Sequence, residues 1–317
     1  MLGALLADLA AVPGLEIVAT TDPRTRLRVP PGVEVVSLPP NRITAALRRL
    51  IRAADAVWLI APEADGILAR LAALVEAEGR RLLGPGAAAI RRAADKAALP
   101  RRLASAGVAA PPARMLSRAA DPRAIAADLE YPVVVKPWRG AGCGGVGLAR
   151  DAAELARAVA LARSEGAGRL LVQPFLPGVA ASVSLIGEGS RAFALAVNAQ
   201  HIRVGLPFAY DGGATPLEHP QAARAVECAL AAYRALPGLV GYVGMDLVLT
   251  EAGPVITDVN PRLTTAYLGV RAALDANIAA LALDACLGRL PPPPAPPRRR
   301  ARFTADGTVT CEEATAG

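Results

Sequence analysis

The stretch YPVVVKPWRGAGCGGVGL, residues 131–148, constrains this chain more than any other. Val133, Val134 and Val135 form a short β-branched run that favours a strand. The run delivers Lys136, and a glycine-dense loop follows from Arg139 to Gly147. Val146, Gly147 and Leu148 read as a returning strand, and helical pattern resumes only at Asp151. This order fixes one cation at a strand end, beside a loop whose backbone amides can turn toward an anion. The expectation is a phosphate lid at an ATP-handling site. The competing reading is a flexible glycine hairpin with no ligand.

Lysine is scarce enough here to be informative. Of the 35 Lys and Arg residues only Lys96 and Lys136 are lysine, leaving 33 arginines. A lysine that persists in such a background marks a position where a compact point charge is needed and a wide planar guanidinium does not fit. Contact with phosphate in a cleft is such a position. Chance survival is the alternative for either lysine taken alone.

Gly140, Gly142 and Gly145 also satisfy the literal pattern GxGxxG. A dinucleotide fingerprint requires a strand that turns directly into a helix. Pro137 and Trp138 intervene here, and a strand follows the loop, so that reading is set aside.

The stretch GYVGMDLVLTEAGPVITDVNPR, 241–262, reads as a hairpin turning at Glu251 to Gly253. Asp258 and Asn260, at i and i+2, share one face of the second strand. Asp246 on the first strand can reach that face. Two carboxylates and an amide oxygen suit Mg²⁺, a hard cation that takes carboxylates and phosphate oxygens. Arg262, two residues beyond Asn260, can neutralise a phosphoryl group in transfer. A solvated acidic strand end is the bland alternative, opposed by the apolar neighbours Met245, Leu247, Ile256 and Val259.

The remaining pattern divides the chain. Residues 2–11 read as a helix, 16–20 and 34–38 as strands, 42–53 as a helix, 56–62 as a buried strand, 64–79 as a helix and 81–84 as a strand. This alternation implies a parallel, doubly wound layer over 1–86. It opens inside a helix, so its first strand is absent or its sheet is one strand short. Asp95 and Lys96 open a helix ending at Gly107. Helices are expected at 121–129, 151–164 and 221–236, strands at 169–178, 181–187 and 191–204, and a broken loop at 205–219. A single helix is expected over 267–287. The main unit spans 87–290, with a lid subdomain at about 109–172. Residues 291–300, PPPPAPPRRR, form a stiff linker, and a small hairpin at 302–310 packs weakly or onto an edge.

Bulk properties exclude several classes. The net charge of +7 is concentrated in part at Arg298, Arg299, Arg300 and Arg302, with no aromatic-interleaved basic stripe, so nucleic acid is not the expected partner. No apolar run reaches a membrane span, and the N-terminus lacks a basic n-region. The four cysteines and two histidines show no zinc spacing. The expectation is a reduced cytoplasmic protein that can form homo-oligomers.

Lys96, Lys136 with its glycine lid, the LVQPFLPG connector and MDLVL…TDVNPR, in that order, resemble the ATP-grasp superfamily. The resemblance covers about 87–290. It implies an α/β and α+β architecture: two α+β lobes clamping ATP, preceded by a Rossmann-like pre-ATP-grasp domain. It implies that Lys96, Lys136 and the loop glycines Gly142, Gly144 and Gly145 hold the phosphates. Gln173, Pro174, Phe175 and Leu176 would lie along the adenine. Asp246, Asp258 and Asn260 would bind two Mg²⁺ ions, with Mn²⁺ as a substitute. Gln173 replaces the glutamate common in this position, and Ala180 and Ala181 stand where a ribose-binding acid is usual. GVAASVSLIG, VNAQHI, YDGGATPLEH and NPRLTTAYLGVR are most similar to the tyramine–glutamate ligase-like group of methanofuran-type coenzyme biosynthesis. That likeness implies small-molecule carboxylate and amine substrates near Asn198, Gln200, His201, Gly212, Gly213, Arg262, Thr264 and Thr265. A partly buried strand histidine is the equal alternative for His201. The implied reaction is amide formation through an acyl phosphate, with Lys136 and Arg262 as catalytic groups. Other ATP-grasp chemistry and a silent nucleotide binder are the rivals.

Overall fold

The computed structural model describes residues 1–25, 27–38, 42–140 and 142–313. The N-terminal region runs α1 (Leu2–Ala10), β1 (Ile17–Thr21), β2 (Val33–Ser37), α2 (Ile43–Ala53), β3 (Ala56–Val57), α3 (Ile67–Ala77) and β4 (Arg81–Leu82). Its strand pairs are parallel, as the alternation predicts, but β1–β2 and β3–β4 form two separate ladders. The expected strand over 56–62 is corrected to β3, which has only two laddered residues. The rest of the run is still enclosed from both sides. Trp58 and Ile60 pack toward Leu5 and Tyr267, while Leu59 and Ala61 pack toward Leu68 and Ala72. Alternation of side chains along an extended segment gives it two apolar faces without a neighbouring strand.

Next come α4 (Ala87–Ala93), α5 (Leu99–Ala104), β5 (Arg114–Leu116), α6 (Arg123–Ala126), β6 (Val133–Pro137), β7 (Gly147–Ala149), α7 (Ala152–Ser164) and β8 (Leu170–Pro174). Lys96 lies in the turn between α4 and α5, so it does not open a helix. β6 and β7 are the antiparallel arms of the glycine loop, and the sheet order is β5-β8-β6-β7. Asp151 caps α7 by accepting from Glu154 N at 2.7 Å, satisfying an otherwise orphaned helix donor.

The large sheet contains β9 (Val179–Glu188), β10 (Arg191–Arg203), β11 (Ala209–Thr215), β12 (Gly241–Thr250), β13 (Gly253–Asn260), β14 (Arg299–Thr304) and β15 (Val309–Glu313). Its order is β13-β12-β9-β10-β11-β14-β15. Period-two alternation assigns its faces. Ala181, Val183 and Leu185 pack under α8 (Ala222–Arg234), while Ile186 packs toward α9 (Ala266–Ala273) and α10 (Ile278–Cys286).

Two expectations change here, and one open alternative is decided. The loop over 205–219 contains β11, whose Gly212 and Gly213 let β14 approach. The single helix over 267–287 is α9 and α10, bent by 110°. Leu274 leaves the helical region at φ −99°, ψ 139°, and Asn277 restarts it by accepting from Ala280 N at 3.0 Å. Asn277 also donates to Asp8 O at 2.7 Å, which ties the corner to α1. Of the two alternatives for the tail hairpin, the sheet edge is the one taken: β14 and β15 extend the sheet beyond β11, with Ala301 and Phe303 buried. No single helix among the described residues is long and apolar enough to cross a membrane.

Candidate active site

A cavity of about 410 Å³ opens between the lid sheet and the large sheet. Lys136 enters from β6. Asp246 enters from β12, and Asp258 and Asn260 from β13. Asp246 and Asp258 are cross-strand partners, with a bulge directly after Asp246. A bulge redirects side chains and is common beside active sites. The i, i+2 spacing therefore brings all three donors of the predicted metal face together: Asn260 donates from Nδ2 to Asp246 Oδ2 at 2.9 Å.

The electrostatics follow from burial. Burial and the neighbouring Asp258 carboxylate push the Asp246 carboxyl up to about 6, against the pull of Asn260 and Lys96. Gln200 donates to Asp246 Oδ1 at 2.9 Å. Asp258 is ion-paired with Lys96, which is only 7 % exposed. Lys136 donates to Thr257 O at 3.1 Å. Burial, and then the charge of Lys96, lower the Lys136 ammonium to about 8, although Asp258 and Asp246 oppose the fall. Both scarce lysines thus meet at one acidic pair. Lys96 is matched by Asp258, and the Lys136 ammonium, disfavoured by burial and by Lys96, would gain from an anion brought into the cavity, as a triphosphate is.

Metal capacity depends on the donor set. Among the described residues no group of three or more His, Cys, Asp or Glu side chains forms a metal cluster. Asp246 and Asp258 are nevertheless two carboxylates on one surface, and their mutual repulsion raises Asp246. This fits a hard divalent cation that completes its shell with phosphate oxygens. Asn260 Oδ1 accepts from Arg262 Nη2 at 3.5 Å, a long contact that occupies one of the oxygen's two lone pairs.

Gln173, Pro174, Phe175 and Leu176 all border the cavity. Gln173 is buried and donates to Pro111 O at 3.3 Å, an uncharged anchor for the connector. Of the loop, Gly142, Cys143 and Val146 face the cavity; Gly144 and Gly145 do not border it, and Ala141 lies outside the described residues. A Cβ on Gly145 would meet Pro137 at 3.0 Å and Ala162 at 3.5 Å, so this glycine packs the loop onto its lobe. Burial, with Asp246 and Asp211, pushes the Cys143 thiol up, away from nucleophilic thiolate.

The predicted substrate residues separate into two groups. Gln200, Arg262, Thr264 and Thr265 border the cavity; Asn198, His201, Gly212 and Gly213 do not. Asn198 is fully enclosed. It donates to Ser182 O and to the Ser182 and Ser184 hydroxyls at 3.1–3.2 Å, and accepts from Thr215 at 2.6 Å. With every polar atom engaged inside the sheet, it is placed to hold β9, β10 and β11 together. His201 is exposed on β10, its side chain on the opposite side of the strand from that of Gln200. Gly212 and Gly213 lie against β14.

Glu63 was not legible as a functional residue. It is 4 % exposed and accepts from Arg262 Nε at 2.8 Å. Burial pushes its carboxyl up, with Arg262 opposing. Its position at the end of the apolar run AVWLIAP was the only available signal, since a carboxylate there must be paired or neutral. Tyr210 and Phe303 also border the cavity and were not singled out.

The ATP-grasp domain family matches residues 93–266, and the pre ATP-grasp 3 domain family matches residues 15–90. A tyramine–L-glutamate ligase from Methanocaldococcus jannaschii is 34% identical over 32% of this chain and 32% of its own. A D-alanine–D-alanine ligase from Gloeobacter violaceus is 31% identical over 78% of this chain and 85% of its own. The chain spans about a third to two fifths of the length of the first curated relatives it matches. Among solved structures, a biotin carboxylase–β,γ-ATP complex from Campylobacter jejuni superposes with a TM-score of 0.77, at 17% identity over 94% of this chain and 72% of that one. An L-amino acid ligase from Bacillus licheniformis does so at 0.72, with 19% identity over 95% and 76%. At these identities the structural likeness is one of fold.

Proposed function

The chain belongs to the ATP-grasp family, and on that premise we propose that it is an ATP-dependent carboxylate–amine ligase. The supporting observation is the convergence of Lys136, two carboxylates and Arg262 on one cavity with an uncharged connector at its edge, and the ion pair that ties Lys96, which does not border the cavity, to Asp258. Lys96 and Lys136 would hold the phosphates, and Gln173, Pro174, Phe175 and Leu176 the adenine. Asp246 and Asp258, joined by Asn260, would hold one or two Mg²⁺ ions, which would supply positive charge beside the phosphates.

The reaction class is transfer of a phosphoryl group from ATP to a substrate carboxylate, followed by attack of an amine and release of phosphate. Arg262, held by Glu63, would stabilise charge on the phosphoryl group in flight. The β6–β7 loop would cover the site and keep water from the acyl phosphate. Gln200, Thr264 and Thr265 border the space left for the acid and amine. No side-chain nucleophile is required, which agrees with the raised Cys143 thiol. The likeness to tyramine–L-glutamate ligase makes glutamate with tyramine or a related amine the first pair to try, and methanofuran-type coenzyme synthesis the corresponding setting. The four free cysteines suit a cytoplasmic location.

The test is a coupled assay for ADP and phosphate with pools of acids and amines. Release should require the amine, and Lys136→Ala and Asp258→Ala should each abolish it. Turnover that survives either change sinks the assignment. A stable phosphorylated product with no amine requirement would point to a kinase on the same fold.

A further inference from the structure

Trp138 is one of two tryptophans in the chain and does not border the cavity. It directly follows Pro137, the last residue of β6, where that strand passes into the glycine loop. Its backbone N–H donates to Arg169 O at 3.0 Å, which seats it on the lid sheet beside β8. The Arg139 guanidinium stands over its ring at 4.2 Å from the centroid, and that of Arg169 at 5.1 Å. Both lie within reach of a cation–π contact, so the ring is already engaged. The indole N–H is the side chain's one polar group, and it reaches out of the lid: Nε1 donates to Asp95 Oδ1 at 3.0 Å.

Asp95 belongs to the other lobe. It lies in the turn between α4 and α5, and Ala93, Leu99 and Leu103 on either side of that turn pack in the core under the large sheet. The lid sheet has a core of its own, built on Leu116, Val133, Val135 and Leu155. The Trp138–Asp95 hydrogen bond therefore crosses between two separately packed lobes. Lys136 makes a second crossing two residues earlier, to Thr257 O.

The residue after Asp95 is Lys96, ion-paired with Asp258. Asp95 also shapes the turn that carries this lysine. Its carbonyl accepts from Leu99 N at 3.1 Å, and its Oδ1 from Ala98 N at 3.3 Å. Its Oδ2 has Arg102 Nη2 at 3.9 Å, so the indole holds the carboxylate toward the lid against a cation on the other side. The two lysines are close enough for the charge of Lys96 to help lower the Lys136 ammonium.

We propose that Trp138 is a positioning residue: through Asp95 it ties the base of the glycine lid to the Lys96 turn and sets the spacing of the two lysines for the phosphates of one nucleotide. This inference rests on the ATP-binding part of the ligase reading and adds a residue to it.

The experiment is calorimetry on the full chain with Mg²⁺ and β,γ-methylene-ATP, with adenosine as the probe that carries no phosphate. Trp138→Phe keeps an aromatic ring beside both guanidinium groups and loses the indole N–H, so its melting temperature should stay near wild type. Its affinity for the triphosphate analogue should fall at least fivefold, while its affinity for adenosine stays within twofold. Asp95→Asn keeps an acceptor oxygen and should stay within twofold of wild type for both ligands. Asp95→Ala should lose triphosphate affinity, and adding Trp138→Phe to it should cost little more, because the two residues share one bond. The indole N–H proton resonance of Trp138 should move upfield in Asp95→Ala while that of Trp58 stays. Equal loss for both ligands, no loss for either, an Asp95→Asn loss as large as that of Trp138→Phe, or fully additive losses overturn the positioning role and leave the ligase reading standing. Failure of the wild-type chain to bind the triphosphate analogue overturns the ligase reading, and this inference with it.

Discussion

Glu63 and Arg262 are 199 residues apart and form a buried ion pair, with Arg262 Nε donating to Glu63 Oε2 at 2.8 Å. The pair joins the N-terminal region to the end of β13. Arg262 also donates to Leu263 O at 2.9 Å, so its guanidinium is held from two sides. Glu63 Oε1 is buried and has no hydrogen-bond partner among the described residues, and Arg262 is the group that opposes the rise burial imposes on this carboxyl.

Removing one partner of such a pair leaves a buried charge unmatched. Glu63→Gln should cost about 3 kcal/mol of stability, read by denaturant unfolding. Turnover should fall by at least tenfold while the KM for ATP changes little, because the phosphate-holding lysines are untouched. An equal loss through KM alone would show that Arg262 acts in ground-state binding.

Asp246 gives a pH prediction. Its folded carboxyl is raised to about 6, above the unfolded value, so the folded chain binds the extra proton between about pH 4 and 6. At this group, stability therefore falls as pH rises through that window. Mg²⁺ competes with the same proton. The melting temperature should rise with Mg²⁺ at pH 7.5 and hardly respond at pH 5, and Asp246→Ala should remove the difference. A response equal at both pH values would place the metal elsewhere.

The sequence made the chemistry of β12 and β13 legible because strand periodicity is short-range: Asp258 and Asn260 share a face whatever surrounds them. The lid was legible for a similar reason, since Lys136 and its glycines are contiguous. Glu63 was hidden because its partner is remote in sequence and no local pattern links them. Phe303 was hidden behind a proline linker, where its hairpin looked peripheral. Asn198 and His201 were misleading in the opposite way. Polar residues on a strand suggest a ligand, yet Asn198 spends its polar atoms inside the sheet.

Asn198→Ala separates those two roles. The change takes the Asn198 partner from the Thr215 and Ser182 hydroxyls, while Ser184 keeps Tyr242, at a cost of about 3 kcal/mol. Well below the melting temperature, kcat and KM should stay within about threefold of wild type, because the side chain does not border the cavity. A large rise in the KM of one substrate with unchanged stability would make Asn198 a substrate contact after all.

Lys136 should reveal nucleotide binding through its proton. Its ammonium is lowered to about 8, below its unfolded value, chiefly by burial and secondarily by Lys96. The folded chain thus releases this proton earlier than the unfolded chain. Stability at this group rises with pH between about 8 and 10.5. A bound triphosphate reverses the balance by favouring the charged form. At pH 8, calorimetry in buffers of different ionisation enthalpy should show uptake of about half a proton per ATP bound. The uptake should vanish at pH 6.5, where the lysine is already protonated, and in Lys136→Met. Uptake unchanged in Lys136→Met would assign the proton to another group, and no uptake at pH 8 would mean that Lys136 does not face the phosphates.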